Sequence, residues 1–193
     1  MSYDVIVLAG GSTVAEYDLR NLHNRGVLIA VNDAALYTHP FMTVSICQTW
    51  VTSRYPLVKT LGIPQVMIPK LYMGLLDVDH KTAAISKEHL RINNSGAVAL
   101  SLALETTPHR VFLLGFDMKN RLPPVNAYWY PDYPWRRLQG SADASYAQWV
   151  KDIGKMPKTS TTIYNVTHDS ALDMFEKITY KQFQDMTSDN FPP

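Results

Sequence analysis

INNSGAVALSLALETTPHRVFLLGFDM, residues Ile92 to Met118, is the stretch whose reading decides the fold. It opens on a polar turn, Asn93-Asn94-Ser95-Gly96, and continues through Ala97, Val98, Leu100, Leu102 and Leu104. That run is rich in Ala and Leu, the strong helix formers, at helical spacing. Thr106-Thr107-Pro108 should close the helix, because the residue before a proline is pushed out of the helical region. Arg110 to Leu114 (RVFLL) then reads as a short strand, too uniformly apolar to have one wet face. Such a run suits a central parallel strand covered on both sides. Gly115-Phe116-Asp117-Met118 sets a carboxylate just past its carboxyl end, the edge where open α/β sheets bind ligands.

The helix start carries two readings. Asn94 or Ser95 is an ordinary N-cap, with Gly96 tolerating the turn. Alternatively Asn94, Ser95 and Gly96 face an anion, because the first helical turn has unpaired N–H groups and a partial positive charge. The Gly-Phe-Asp after the next strand favours the second.

Upstream, Tyr3 to Ala9 (YDVIVLA) is an apolar, β-branched run ending in Gly10-Gly11-Ser12-Thr13, with a helix-compatible stretch to Arg25 behind it. Strand, glycine turn and helix in that order open a nucleotide-binding α/β unit. The motif is neither GxGxxG nor a P-loop, so a plain βα turn is an equal reading. Further strands are expected at 27–31, ending at Asn32-Asp33, at 42–47, ending at Gln48, and at 65–68. With 4–9, 110–115 and 161–165 they define a Rossmann-like α/β fold: a mostly parallel sheet with helices on both faces. Asn32, Asp33 and Gln48 would each pass as a turn residue. Together they would gather along one edge of the sheet.

Residues 71–91 show no clear period, and their two histidines, His80 and His89, are too widely spaced to suggest a metal site. Residues 119–140 form a long Pro-rich stretch dense in aromatics, which reads either as a lid or as a packed surface flap. Ser141–Gly154 reads as a helix, as do 170–177 and 180–186. One domain over 1–187 and a loose tail over 188–193 complete the expected organisation.

A formal net charge of +1 gives no general pull toward nucleic acid or a membrane surface, leaving nucleic acid only as an acceptor. The one cysteine, Cys47, excludes an intrachain disulfide framework. No signal-peptide pattern or membrane-length apolar run is present, which reads as a cytoplasmic protein.

GGST after the first strand, AVNDA after the second, NNSGAVALSLA and VFLLGFDM together resemble the sialyltransferase-like superfamily, which includes hydroxymethylpterin diphosphokinase-like proteins. The chain is most similar to small phage and prophage members, which would put it in a host cytoplasm. Tyr146-Ala147-Gln148-Trp149 and the run Asn165 to Leu172 echo the family's later part. The resemblance implies a nucleotide held at the carboxyl edge of the sheet. Gly10, Gly11 and Ser12 would approach its phosphate or ribose, Asn32 would touch it, and Asn94, Ser95 and Gly96 would hold it from the opposite side; Gln48 joins the nucleotide-binding candidates by its place at a strand end. Tyr128 or Tyr130 would take the place of the family's tyrosines that contact the donor phosphate; Arg136, at the end of the aromatic stretch, is placed to meet phosphate by its own chemistry. Gln48 stands where many phage relatives have an acid, and the aromatic stretch lacks their histidines.

The implied activity is nucleotide-dependent transfer, glycosyltransferase-like, from a nucleotide-sugar donor; Asp117 would shape the floor of the site, and His168, which follows a strand end, or Asp117 would deprotonate the acceptor. No tightly bound cofactor is expected and no metal. Mg²⁺ enters only under the alternative of diphosphate transfer to a small hydroxymethyl compound. A non-catalytic protein that binds a nucleotide or a modified base is the remaining alternative. The partner is a small-molecule nucleotide, the acceptor is unspecified, and self-association is left open.

Overall fold

Eight strands build one sheet: β1 (Asp4–Leu8), β2 (Val27–Val31), β3 (Met42–Val44), β4 (Gln65–Pro69), β5 (Thr82–Ile85), β6 (Arg110–Leu114), β7 (Thr162–Asn165) and β8 (Glu176–Lys177). A computed structural model describes residues 2–79, 81–119, 129, 141–157 and 159–188, with side chains omitted at 141–144. The spatial order is β5-β4-β3-β2-β1-β6-β7-β8, and every neighbouring pair is parallel. The α/β, Rossmann-like class is therefore what the chain adopts.

Strand side chains alternate between two buried faces. Val5, Val7, Ile29, Val31, Val111 and Leu113 pack against α3 (Ser95–Glu105), with α4 (Ser141–Gly154) outside their flank. Ile6, Leu8, Leu28, Ala30, Phe112 and Leu114 face α1 (Gln48–Thr60), α5 (Tyr180–Thr187) and several 3-10 turns. A four-residue α2 (Lys70–Met73) follows β4. In α3, Ala97, Ala99 and Ala103 are fully buried, and their small side chains let the helix lie close on β1, β2 and β3. Chain order reverses at β1. The β2 to β5 half extends from one side of it, and β6 to β8 from the other.

Several expected elements change. Residues 12–25 form two 3-10 turns, Ser12–Glu16 and Leu22–Asn24, in place of a helix. Short polar side chains there compete for the backbone: Asp18 Oδ1 accepts the Arg20 N–H at 3.1 Å. Strand 42–47 is cut to Met42–Val44, because at its end Ser45 Oγ accepts the Cys47 N–H and the chain turns into α1. Residues 170–177 are not helical. Ser170 Oγ accepts the Leu172 N–H and donates to the Phe116 carbonyl, which bends the chain so that Glu176–Lys177 pairs with β7. Within 71–91 lies β5, an edge strand. The tail beyond Ser188 and all of 119–140 except Lys119 and Trp129 fall outside the described residues.

Candidate functional site at the carboxyl edge

The ends of β1 and β6 are laced together. Ala9 and Gly11 donate backbone N–H bonds to Leu114 and Gly115, at 2.8 and 2.9 Å. Asp117, only 5% exposed, then receives three donors from the glycine turn. Ser12 Oγ reaches Oδ2 at 3.1 Å, the Thr13 N–H reaches Oδ2 at 3.3 Å, and Thr13 Oγ1 reaches Oδ1 at 2.7 Å. Gly11 is required here for space: a Cβ would stand 2.4 Å from Asp117 Oδ1 and from the Gly115 carbonyl oxygen. Gly115 itself sits at a φ of 73°, which favours glycine.

The other side of the Gly115–Asp117 exit is strapped by the segment after β7. Thr167 Oγ1 accepts the N–H groups of Gly115 and Phe116 at 3.0 and 3.2 Å, and the Ala171 N–H donates to the Asp117 carbonyl. Lys119 pairs with Asp169 in the same strap. His168 lies between these anchors and is exposed. Trp129 covers the first glycine: its Nε1 donates to the Ala9 carbonyl at 3.0 Å, its N–H to that of Gly10, and its ring meets Tyr37 edge-on.

At the end of β2, Asn32 adopts a φ of 53°. Asparagine tolerates this left-handed conformation better than most side chains, and such outliers concentrate at functional sites. Its Oδ1 is buried and has no hydrogen-bond partner among the described residues. The next residue, Asp33, is fully buried. It accepts from Trp50 Nε1 at 2.6 Å and lies 3.6 Å from the Arg54 guanidinium. Burial pushes the Asp33 carboxyl up from its ordinary range, and the Trp50 hydrogen bond and Arg54 charge oppose that push.

The α3 start shows both readings at once. Asn94 is the N-cap, its Oδ1 accepting the Ala97 N–H at 2.8 Å. Ser95 Oγ accepts the Ile46 N–H at 3.1 Å and so ties the end of β3 to the helix, while Gly96 packs against the Phe116 ring. The N–H groups of Ser95 and Gly96 make no hydrogen bond among the described residues.

Gly10, Gly11, Ser12, Asn32, Asn94, Ser95, Gly96 and Asp117 thus all fall at the carboxyl edge, on β1, β2, β6 and the start of α3. Gln48 is the exposed first residue of α1, one strand further out, after β3. Tyr128, Tyr130 and Arg136 lie outside the described residues. Thr13, from the glycine turn, and Trp129, from the 119–140 aromatic stretch, also stand at this edge and were not among the expected site residues. Among the described residues no three His, Cys, Asp or Glu side chains converge as a metal site, and no helix is long and apolar enough to cross a membrane.

Neither a protein-family model nor a curated protein matches the chain. Solved structures do. The chain is similar to the sialyltransferase CstII from Campylobacter jejuni in complex with the substrate analogue CMP-3FNeuAc, at a TM-score of 0.55 and 12% identity, covering 92% of this chain and 86% of that one. The same enzyme with cytidine-5'-monophosphate gives a TM-score of 0.52 and 12% identity, over 90% and 84% of the two chains. At that identity the likeness carries the fold alone: a sialyltransferase-like α/β sheet.

Proposed function

We propose that the carboxyl edge binds a nucleotide and that the protein is a nucleotide-dependent transferase, glycosyltransferase-like, with a nucleotide-sugar donor. The observation that carries this reading is Asn32. A strained backbone and a buried Oδ1 lacking a donor both stand beside the glycine turn, and an unsatisfied buried acceptor costs about 1–3 kcal/mol until a partner arrives. A ligand N–H or O–H would supply that partner. The unpaired Ser95 and Gly96 amides would take a phosphate oxygen. CMP and a CMP-sugar analogue in the structural neighbours support the same ligand class.

Within this reading Asp117 holds the glycine turn, since its carboxylate is already engaged by Ser12 and Thr13. The same engagement weighs against Asp117 as a Mg²⁺ ligand for diphosphate transfer. Deprotonation of the acceptor falls to the exposed His168, a residue type suited to general base work near neutral pH. Should Asp117 act on the acceptor instead, Asp117→Asn would abolish donor hydrolysis and leave donor affinity intact. A protein that binds but does not turn over is the second reading. It is favoured by the occupied carboxylate.

A thermal-shift screen of CMP, UMP, GDP, ADP and their sugar conjugates tests the proposal. A ligand of the folded state at a hundredfold excess over Kd adds about 2.7 kcal/mol of stability. Asn32→Gly keeps the left-handed backbone but removes the acceptor. It should weaken the effective nucleotide roughly tenfold, the equivalent of one hydrogen bond. No shift with any nucleotide sinks the proposal. A shift without donor consumption in the presence of acceptors favours the binding protein.

A further inference from the structure

Beside the edge strand β5, a second group of side chains has the arrangement of a nucleophilic relay. Ser86 directly follows β5 and is exposed. Its Oγ lies 2.7 Å from Nδ1 of His89, which is only 7% exposed. On the far side of the ring, Nε2 lies 3.1 Å from Oε1 of Glu105, the last residue of α3, whose side chain is 63% exposed. None of the three belongs to the carboxyl-edge cluster.

The proton positions follow from the partners. A carboxylate accepts only, so the Glu105 contact fixes the ring proton on Nε2. With the imidazole neutral, Nδ1 is the acceptor and the Ser86 hydroxyl donates to it. An acid orients the imidazole, and the imidazole faces an accessible hydroxyl, which is the logic of an activated serine. The roles of the two ring nitrogens are exchanged relative to the best-known hydrolases; the relay works in either sense. A simpler role exists, since Ser86 Oγ also accepts the His89 N–H at 3.5 Å as a turn cap. That contact is at the limit of a hydrogen bond, and a cap needs neither the 2.7 Å approach to the ring nor Glu105. The Ser86 hydroxyl has one competing acceptor, the Glu88 carboxylate, which is held below its usual range first by its own backbone N–H and then by Ser86.

We propose that Ser86, His89 and Glu105 form a second reactive site, independent of the nucleotide reading, that takes acyl groups from small activated esters. Ser86 Oγ bonds to the ester carbonyl carbon while its proton passes to His89 Nδ1, and the resulting imidazolium is stabilised by Glu105. The C–O bond to the leaving alcohol breaks, and His89 returns the proton to that oxygen. Water then adds to the acyl-serine, gives its proton to His89, and the bond to Oγ breaks as Ser86 regains its proton. The sum is ester plus water giving acid plus alcohol, with no other reactant.

A fluorophosphonate probe with intact-mass and peptide mapping, run beside p-nitrophenyl acetate hydrolysis on the full chain, tests this. One adduct on Ser86 is expected in the parent, and none on that peptide in Ser86→Ala. His89→Gln should label at least ~100-fold more slowly, the usual weight of a general base. Glu105→Gln changes an exposed group and disturbs no packing, so a slowing there reports the relay. Glu88→Gln, which weakens the competing acceptor, should label as fast as the parent or faster. An unlabelled parent, or His89→Gln labelling at the parent rate in a protein with unchanged circular dichroism, overturns the proposal and leaves Ser86 as a turn cap.

Discussion

The β1–β6 pair carries a buried aspartate at each end, and the two are satisfied in opposite ways. At the amino edge, Asp4 takes a two-pronged bond from Arg110 Nε and Nη2 at 2.9 and 2.6 Å, and Arg110 also reaches the Met186 carbonyl. At the carboxyl edge, Asp117 is met by two hydroxyls and an amide of the glycine turn. The first end joins rigid elements, strand to strand and to the end of α5. The second shapes a loop. Charge pairing locks what must not move. The two hydroxyls and the amide at Asp117 position a turn.

The same substitution at both ends should separate the two roles. Asp4→Asn leaves the mostly buried Arg110 without its counter-charge and should cost about 3–5 kcal/mol of stability, read as the urea midpoint at constant m-value. An equal loss in Asp117→Asn would break the comparison. For Asp117→Asn we expect about 0.5–1.5 kcal/mol, because an amide still accepts from Ser12 and the Thr13 N–H and can donate to Thr13 Oγ1. Nucleotide-induced thermal shift should survive in Asp117→Asn.

Asp33 sharpens the contrast by standing between the two cases, with one neutral donor and one more distant cation. Burial raises its folded-state pKa, so the folded chain holds that proton more tightly than the unfolded one. Its favourable contribution is full below the unfolded value, about 3.9, and is lost as pH rises through the raised folded value. Asp33→Asn keeps an acceptor for Trp50 and removes that slope. Urea titrations from pH 4 upward should show the variant gaining on the parent as pH rises, the smallest effect of the three. A parent-to-variant difference independent of pH would mean that Trp50 and Arg54 fully offset burial.

β1, β2 and β6 were legible because a strand covered on both faces must be apolar throughout, and VIVL, VLIAV and VFLL say so locally. Asn94 or Ser95 announced the start of α3, and Asn94 is its cap. β5 was not legible: Thr82-Ala83-Ala84-Ile85 is an edge strand, half exposed and without period. β8 has two residues, Glu176 and Lys177, too few for any pattern. α1 was not among the expected helices, and it carries Pro56, a residue that disfavours a helix interior. At the site, the edge position of Asn32 and Asp117 followed from strand ends, and that of Ser95 from the helix start. The clasp did not. Ser12 and Thr13 meet Asp117 across more than a hundred residues of chain, a distance over which no local spacing rule acts.

The placement of β1 between β2 and β6 has a consequence for synthesis. Val5 to Leu8 acquire their β2 neighbours as soon as residue 31 has emerged, but their other edge pairs with 110–114. At about 5–20 residues per second, the ribosome needs roughly 4–16 s to deliver that strand. Through that interval β1, buried along its whole length in the finished sheet, presents a bare row of N–H and C=O groups, open to pairing with another chain. The nascent protein is most exposed to misassembly at the strand that ends up most protected.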